Sequence, residues 1–151
     1  MAALIWFRVL AAGAIGFLAW RGQFWAIPLS LMAPCFIAVQ PTRTVAGFTA
    51  LVYYGVASLP VIAVSELYWP SKGVLAIALW FTASAVLTLP WVVFWTRQPA
   101  LRPFAATAAV LLSAIPPLCI VGWASPLISA GVLFPVARGL ASRRSRHFQD
   151  C

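Results

Sequence analysis

The chain has 151 residues, 64% of them apolar and 8% charged, with a mean hydropathy of +0.98 and a net charge of +8. Soluble domains carry about 25% charged residues, so too few are present to cover a water-facing surface, and the many aliphatic and aromatic side chains are equally foreign to disordered chains. The composition is that of an integral membrane protein. At about 20 apolar residues per span, the length admits about seven spans at most, and five or six once turns are counted.

The first run, Ala2 to Trp20, is apolar apart from Arg8. A secretory signal puts its charge ahead of the apolar stretch and a small-residue cleavage site behind it. Here Trp6 and Phe7 precede Arg8 and the run closes on Trp20, Arg21 and Gly22. It therefore reads as an uncleaved first span whose Arg8 snorkels toward the inner interface. Within it Ala12, Gly13 and Gly16 contain a small-xxx-small spacing that lets helices approach closely without naming the partner. Phe24 to Val39 follows, carrying Pro28 and Pro34. As an α-helix at about 1.5 Å per residue it would barely cross the hydrocarbon, so a tilted, kinked or re-entrant segment is expected.

A polar turn at Pro41–Thr44 leads to the third run, Val45 to Val64, with Tyr53, Tyr54 and Pro60. The link from Ser65 to Lys72 holds Glu66, Tyr68 and Trp69 and reads as an interfacial loop, since Trp and Tyr favour the headgroup level. The fourth run, Gly73 to Thr96, is the longest, and Trp91 and Trp95 lie four apart on one helical face, as interfacial anchors or packing residues. Phe104 to Trp123 contains the Pro116–Pro117 pair, which breaks or kinks a helix and is tolerated in lipid only where neighbours satisfy the freed carbonyls. Ser125 to Ala137 is short and precedes an arginine-rich tail.

Ten Lys and Arg face two acids, Glu66 and Asp150. Nucleic-acid binding needs cations clustered on a soluble face, whereas most of these stand singly in gaps between apolar runs, as the positive-inside rule describes. With a cytoplasmic N-terminus and six crossings, Arg8, Arg43, Arg97, Arg102, Arg138, Arg143, Arg144 and Arg146 fall inside, and only Arg21 and Lys72 outside. If the sixth run failed to cross, the four tail arginines would move out and the bias would vanish. The fold expected is thus an all-α, polytopic membrane helix bundle of about five to six spans over residues 1–138, with a basic cytoplasmic tail at 139–151.

Little chemistry is legible. Ionisable residues inside spans mark function in membrane proteins, and none lies deep in a run. Glu66 with Lys72 is the best polar pair, at the outer interface. The single histidine, His147, sits in the tail; Cys35, Cys119 and Cys151 have no ligand-like spacing. No catalytic, cofactor or metal residue is predicted.

Three strings carry a family likeness. SAIPPLCIVGWASPLISAGVLFP (Ser113 to Pro135), LAWRGQFWAIPLSLMAP (Leu18 to Pro34) and YYGVASLPV (Tyr53 to Val61) resemble the membrane portion of the TraB family of conjugal transfer proteins of Ti-type and rhizobial plasmids. Pro116, Pro117, Gly122, Trp123 and Ala124, followed by Gly131, Leu133, Phe134 and Pro135, form the most specific element. That family is in turn similar to bacterial apolipoprotein N-acyltransferase, whose membrane helices precede a nitrilase-like domain outside the cytoplasmic membrane.

The resemblance implies an inner-membrane component of conjugal plasmid transfer, partnered by the bilayer and other transfer proteins, with no direct nucleic-acid contact. The family's catalytic Glu, Lys and Cys have no counterparts before Cys151, so a truncated, non-catalytic member is expected. The alternative is the membrane half of a split acyltransferase-like or amidohydrolase-like enzyme. A small transporter subunit is a weaker third reading, for want of intramembrane ionisable residues.

Overall fold

In a computed structural model of the protein, which describes residues 2–20 and 24–113, every regular element is helical. Helix α1 spans Ala2–Ala19. A 3₁₀ helix, Phe24–Met32, runs into the short α2, Ala33–Ala38. Helix α3 is Arg43–Ala57, α4 Pro60–Tyr68, α5 Gly73–Phe94 and α6 Arg102–Ser113, the last entered through a 3₁₀ turn at Pro99–Leu101. The Pro116–Pro117 pair, the sixth run and the basic tail lie outside the described residues, as does the boundary expected at residue 138.

Proline placement explains the breaks. Pro28 has no N–H for an i→i−4 bond, and the segment around it winds as the tighter 3₁₀ form. The consequence is length. A 3₁₀ helix rises about 2.0 Å per residue, so Phe24–Met32 covers roughly 18 Å, and α2 adds roughly 9 Å at the α-helical rise. The segment expected to be tilted, kinked or re-entrant is a 3₁₀ helix running into an α-helix, and its winding compensates for its few residues.

Pro60 divides the third run, read from sequence as one span, into two helices. Its missing N–H and its ring disrupt the preceding turn. Short-range bonds carry the chain through the junction, from Leu59 N–H to the Val56 carbonyl (3.3 Å) and from Val61 N–H to the Ser58 carbonyl (2.9 Å). Pro60 then opens α4, where its fixed φ suits a first helical turn. The link expected to be a loop from Ser65 is instead helical through Tyr68, since no Gly or Pro interrupts it before Pro70. Ser71 turns the chain toward α5 with a left-handed φ of 69°.

Helix α3 lies between α1 and α5, with α2 also against it; α4 packs on α5, and α6 on α5 and α2. On α3, Ala46, Ala50, Tyr53 and Ala57 recur at helical spacing and are all fully buried. Opposite them, α1 contributes Ala12, Gly13 and Gly16. A Cβ on Gly16 would stand 2.7 Å from the Tyr53 carbonyl oxygen, and one on Gly13 3.0 Å from Val52 Cγ1. The small-residue spacing of the first run thus has its partner inside the chain: the stripe is where α1 and α3 touch backbone to backbone.

The distribution of side chains is inverted relative to a soluble core. Buried positions are mainly small or polar, including Ala12, Ala46, Thr49, Ala50, Ser84 and Ala109. Large apolar side chains face outward, among them Leu10 (69% exposed), Val74 (85%) and Phe104 (73%). Helices α1 and α5 are the two, among the described residues, long and apolar enough to cross a membrane, and only 22% and 28% of their apolar windows is buried.

Candidate functional site

Two constructions stand out, a buried aromatic network and a cationic end. The network begins with the adjacent Tyr53 and Tyr54, which are both fully buried because they straddle the face of α3 that meets α1 on one side and α5 on the other. Trp20 donates its indole N–H to the Tyr53 hydroxyl at 3.3 Å, and Trp91 donates to the Tyr54 hydroxyl at 3.1 Å. The two phenol rings meet edge to face at 5.0 Å. Ser30 hydrogen-bonds with Tyr53 and Ser113 with Tyr54. The 3₁₀ segment and α6 are thereby tied to α3 through the same two hydroxyls.

Further indoles do the same for backbone oxygens. Trp80 donates to the Gly55 carbonyl at 2.7 Å, and Trp95 to the Gln40 carbonyl at 3.4 Å. Buried hydroxyls in the helices bond back to the preceding turn, Thr49 to Val45, Ser84 to Trp80 and Thr88 to Ser84, which satisfies them without a partner on another helix. Gln40 is different. It is fully buried, and neither its amide oxygen nor its amide nitrogen has a hydrogen-bond partner among the described residues.

The cationic end is assembled by contacts that converge on the α2–α3 turn. Arg8 donates from Nη1 to the Val39 carbonyl at 3.0 Å, placing a cation at the C-terminal end of α2, where the helix dipole favours positive charge. Arg8, expected to snorkel toward the inner interface, is engaged by the backbone there. Arg43 opens α3 four residues later and is exposed. Trp95 bonds to Gln40 at this turn, which brings the end of α5 here, and Arg97 follows, exposed.

Arg102, at the start of α6, lines a cavity of about one water's size together with Ile37, Ala38, Trp91 and Trp95, and its Nε is buried without a partner among the described residues. Lys72, in contrast, is exposed at the opposite end of α5, about 33 Å away along a 22-residue helix.

Of the residues singled out from sequence, Arg43, Arg97 and Arg102 therefore share one end and Lys72 occupies the other. Glu66 falls on α4, but its side chain is outside the described residues, as are Arg138, Arg143, Arg144 and Arg146 in full. Trp91 proves to be a buried hydrogen-bond donor, and Trp95 a half-buried one; packing, rather than interfacial anchoring, is the role of the pair. The tyrosines and Gln40 were not singled out. Their signal was available: consecutive tyrosines in an apolar run, with tryptophans in two other runs able to supply N–H donors.

Among the described residues no group of three or more His, Cys, Asp or Glu comes together to hold a metal ion. What the arrangement does is fasten helices α1, α3, α5 and α6 through donors and acceptors sheltered from solvent.

The sequence is 34% identical over 132 residues to a probable conjugal transfer protein TraB of Sinorhizobium fredii (strain NBRC 101917 / NGR234), a match covering 83% of this chain and 33% of that protein. It is 30% identical over 166 aligned positions to the conjugal transfer protein TraB of Agrobacterium fabrum (strain C58 / ATCC 33970), covering 97% of this chain and 39% of the relative. The chain belongs to the TraB family. This TraB-family chain spans between a third and two fifths of the length of these curated relatives. No family model matches it, and no solved structure does. The match covers both halves of the network just described, since its share of the chain in the second relative leaves almost no residue out.

Proposed function

We propose that the protein is an integral component of the cytoplasmic membrane that serves conjugal plasmid transfer, acting as a scaffold or docking element without chemistry of its own in the described helices. The observation that carries the membrane reading is the inverted burial, with Ala, Gly, Ser, Thr and hydrogen-bonded Tyr inside and Leu, Val and Phe outside. Water would penalise such an exterior heavily, at about 25 cal/mol per Å² of apolar surface. In lipid, where outer Leu and Phe gain nothing by being buried, helices associate through small residues and interhelical hydrogen bonds. The conjugation reading rests on family membership.

Lengths support four crossings among the described residues, and α6 would begin another of the five to six expected. Helices α1 and α5 reach across alone, the 3₁₀–α2 segment covers roughly 27 Å of the approximately 30 Å hydrocarbon, and α3 with α4 forms one broken crossing. Arg8, Arg43, Arg97 and Arg102 at one end, against Lys72 at the other, favour a cytoplasmic N-terminus. The tail arginines, Arg138, Arg143, Arg144 and Arg146, add to the same side if residues 125–137 cross, and Glu66 with Lys72 then marks the outer face. Other transfer proteins are the expected partners.

Deleting the gene in its native host is expected to lower conjugal transfer frequency, with recovery on complementation. An unchanged frequency refutes the transfer role. Release of the protein from membranes by alkaline carbonate refutes the integral reading.

A further inference from the structure

The outward side of the α3–α5 contact is a groove that the other described helices leave open. On α3 it is lined by Gly47, Leu51 and Gly55, one residue per turn, and on α5 by Phe81, Ser84, Thr88 and Val92. Gly47 and Gly55 let the two helices close on each other, a Cβ on Gly47 meeting Val92 Cγ2 at 2.7 Å and one on Gly55 meeting Trp80 at 3.5 Å, and the open hollow runs along the outside of this contact, past Phe48 and Leu51 of α3 and Phe81 of α5. Its walls are apolar, because the Ser84 and Thr88 hydroxyls are turned back onto the carbonyls of Trp80 and Ser84. One end differs. There Arg43 and Thr44 form the mouth, and the exposed Arg43 makes no hydrogen bond or ion pair among the described residues.

We infer that this groove holds one anionic phospholipid, its phosphate at Arg43 and Thr44 and one acyl chain lying along the outside of the α3–α5 contact up to Gly55. The inference rests on the membrane reading above. Length selects the ligand class: from Arg43 to Gly55 the helix rises about 18 Å, close to half of the approximately 30 Å hydrocarbon. That is the depth of one leaflet and suits an acyl chain, whereas a partner transmembrane helix needs a furrow running the full thickness. Charge selects the headgroup. The mouth is cationic, so a zwitterionic lipid gains less from it than one carrying net negative charge. The end of this chain is basic, with Arg138, Arg143, Arg144 and Arg146 against Asp150, so that stretch would be repelled by Arg43, and the uncharged residues 114–137 are the protein occupant against which the test below is set.

The test uses the full-length protein, reconstituted in vesicles of equal phosphatidylglycerol and phosphatidylcholine, extracted in mild detergent and analysed by native mass spectrometry for retained lipid. Phosphatidylglycerol is expected on the wild type in about fivefold excess over phosphatidylcholine, the preference that one cation near a membrane surface supports. Arg43→Gln is expected to bring the ratio near one and Arg43→Lys to restore most of it, while Arg97→Gln, at the same end but outside the groove, leaves it high. Leu51→Trp, which obstructs the furrow while keeping the charge, is expected to lower retention of both lipids.

Equal retention of the two lipids by wild type, or a ratio unmoved by Arg43→Gln, overturns the inference. So does a disulfide from Leu51→Cys to a second copy or to a cysteine placed in residues 125–137, which would give the groove a protein occupant. Failure of the membrane reading is seen separately, as carbonate release before any lipid is measured. Tryptophan fluorescence of each variant checks folding, and Arg43 is exposed enough that its replacement leaves the packing intact.

Discussion

Trp91 on α5 donates its indole N–H to the hydroxyl of Tyr54 on α3 across 3.1 Å of fully enclosed space. The bond joins two helices also tied by Trp80 to the Gly55 carbonyl, and its hydroxyl is shared with Ser113 of α6. Trp20, just after α1, and Tyr53 on α3 repeat the device.

Buried hydrogen bonds between membrane helices contribute about 0.6 kcal/mol on average and up to about 1.7. A double-mutant cycle of Trp91→Phe and Tyr54→Phe, read by reversible unfolding in mixed micelles, is expected to give a coupling in this range. The single changes cost more than the coupling, because each also strands a polar partner or leaves a void. Additivity of the two substitutions would mean that the bond contributes nothing.

The approach of α1 to α3 sets a second expectation. At Gly16 an added methyl meets the Tyr53 carbonyl, a backbone atom that can move only with its helix. Gly16→Ala should destabilise by about 1–3 kcal/mol, the usual range for overpacking. Gly55→Ala meets only ordinary contact with Trp80 and also removes the conformational freedom of glycine within a helix; it should be neutral or mildly stabilising. Equal melting points for the two variants would contradict the close α1–α3 contact.

Arg8 offers a test of the tie between α1 and the α2–α3 turn. Loss of a cation at a helix C-terminus costs about 0.3–1 kcal/mol at exposed sites and up to about 2 when partly buried. Arg8→Gln is expected to fall within these limits, and Arg8→Lys to retain part of the stability by keeping the charge. Unfolding midpoints in detergent distinguish them, and identical values for all three proteins would show that the 3.0 Å contact with Val39 is energetically silent.

The proposed orientation can be probed with single cysteines in a variant whose Cys35, Cys119 and Cys151 are replaced by serine. A membrane-impermeant maleimide should modify Lys72→Cys in intact cells with the outer barrier opened, and Arg97→Cys only after the cytoplasmic membrane is permeabilised. The reverse pattern would invert the bundle, and labelling of both in intact cells would end the membrane-spanning reading.

The cation positions illustrate how much a sequence of this kind discloses. Alternating apolar runs imply alternating direction, which assigns Arg43, Arg97 and Arg102 to one end and Lys72 to the other by counting; in the fold, the bond from Trp95 to the Gln40 carbonyl brings the end of α5 to the turn before α3. The boundaries were less legible. Pro60 turned one predicted span into α3 and α4, and Pro28 converted a segment that looked too short into a longer 3₁₀ form. A proline announces a break, but whether it kinks, restarts or rewinds a helix depends on what accepts the freed carbonyls.

Composition and order by themselves made the helical class and the family legible, through apolar runs of helical length, small residues at helical spacing in the first run, and a likeness carried by short strings. Only the tertiary structure decided which surfaces meet. That Gly16 faces the backbone of Tyr53, that Trp91 finds Tyr54 rather than the headgroups, and that Gln40 is enclosed are all relations between residues more than thirty positions apart or between separate helices. Periodicity fixes the face on which a side chain lies, and in a chain apolar on every face it leaves open which face is turned inward. On the membrane reading proposed above, lipid supplies no hydrophobic contrast to choose it, and close packing and hydrogen bonding between particular partners do.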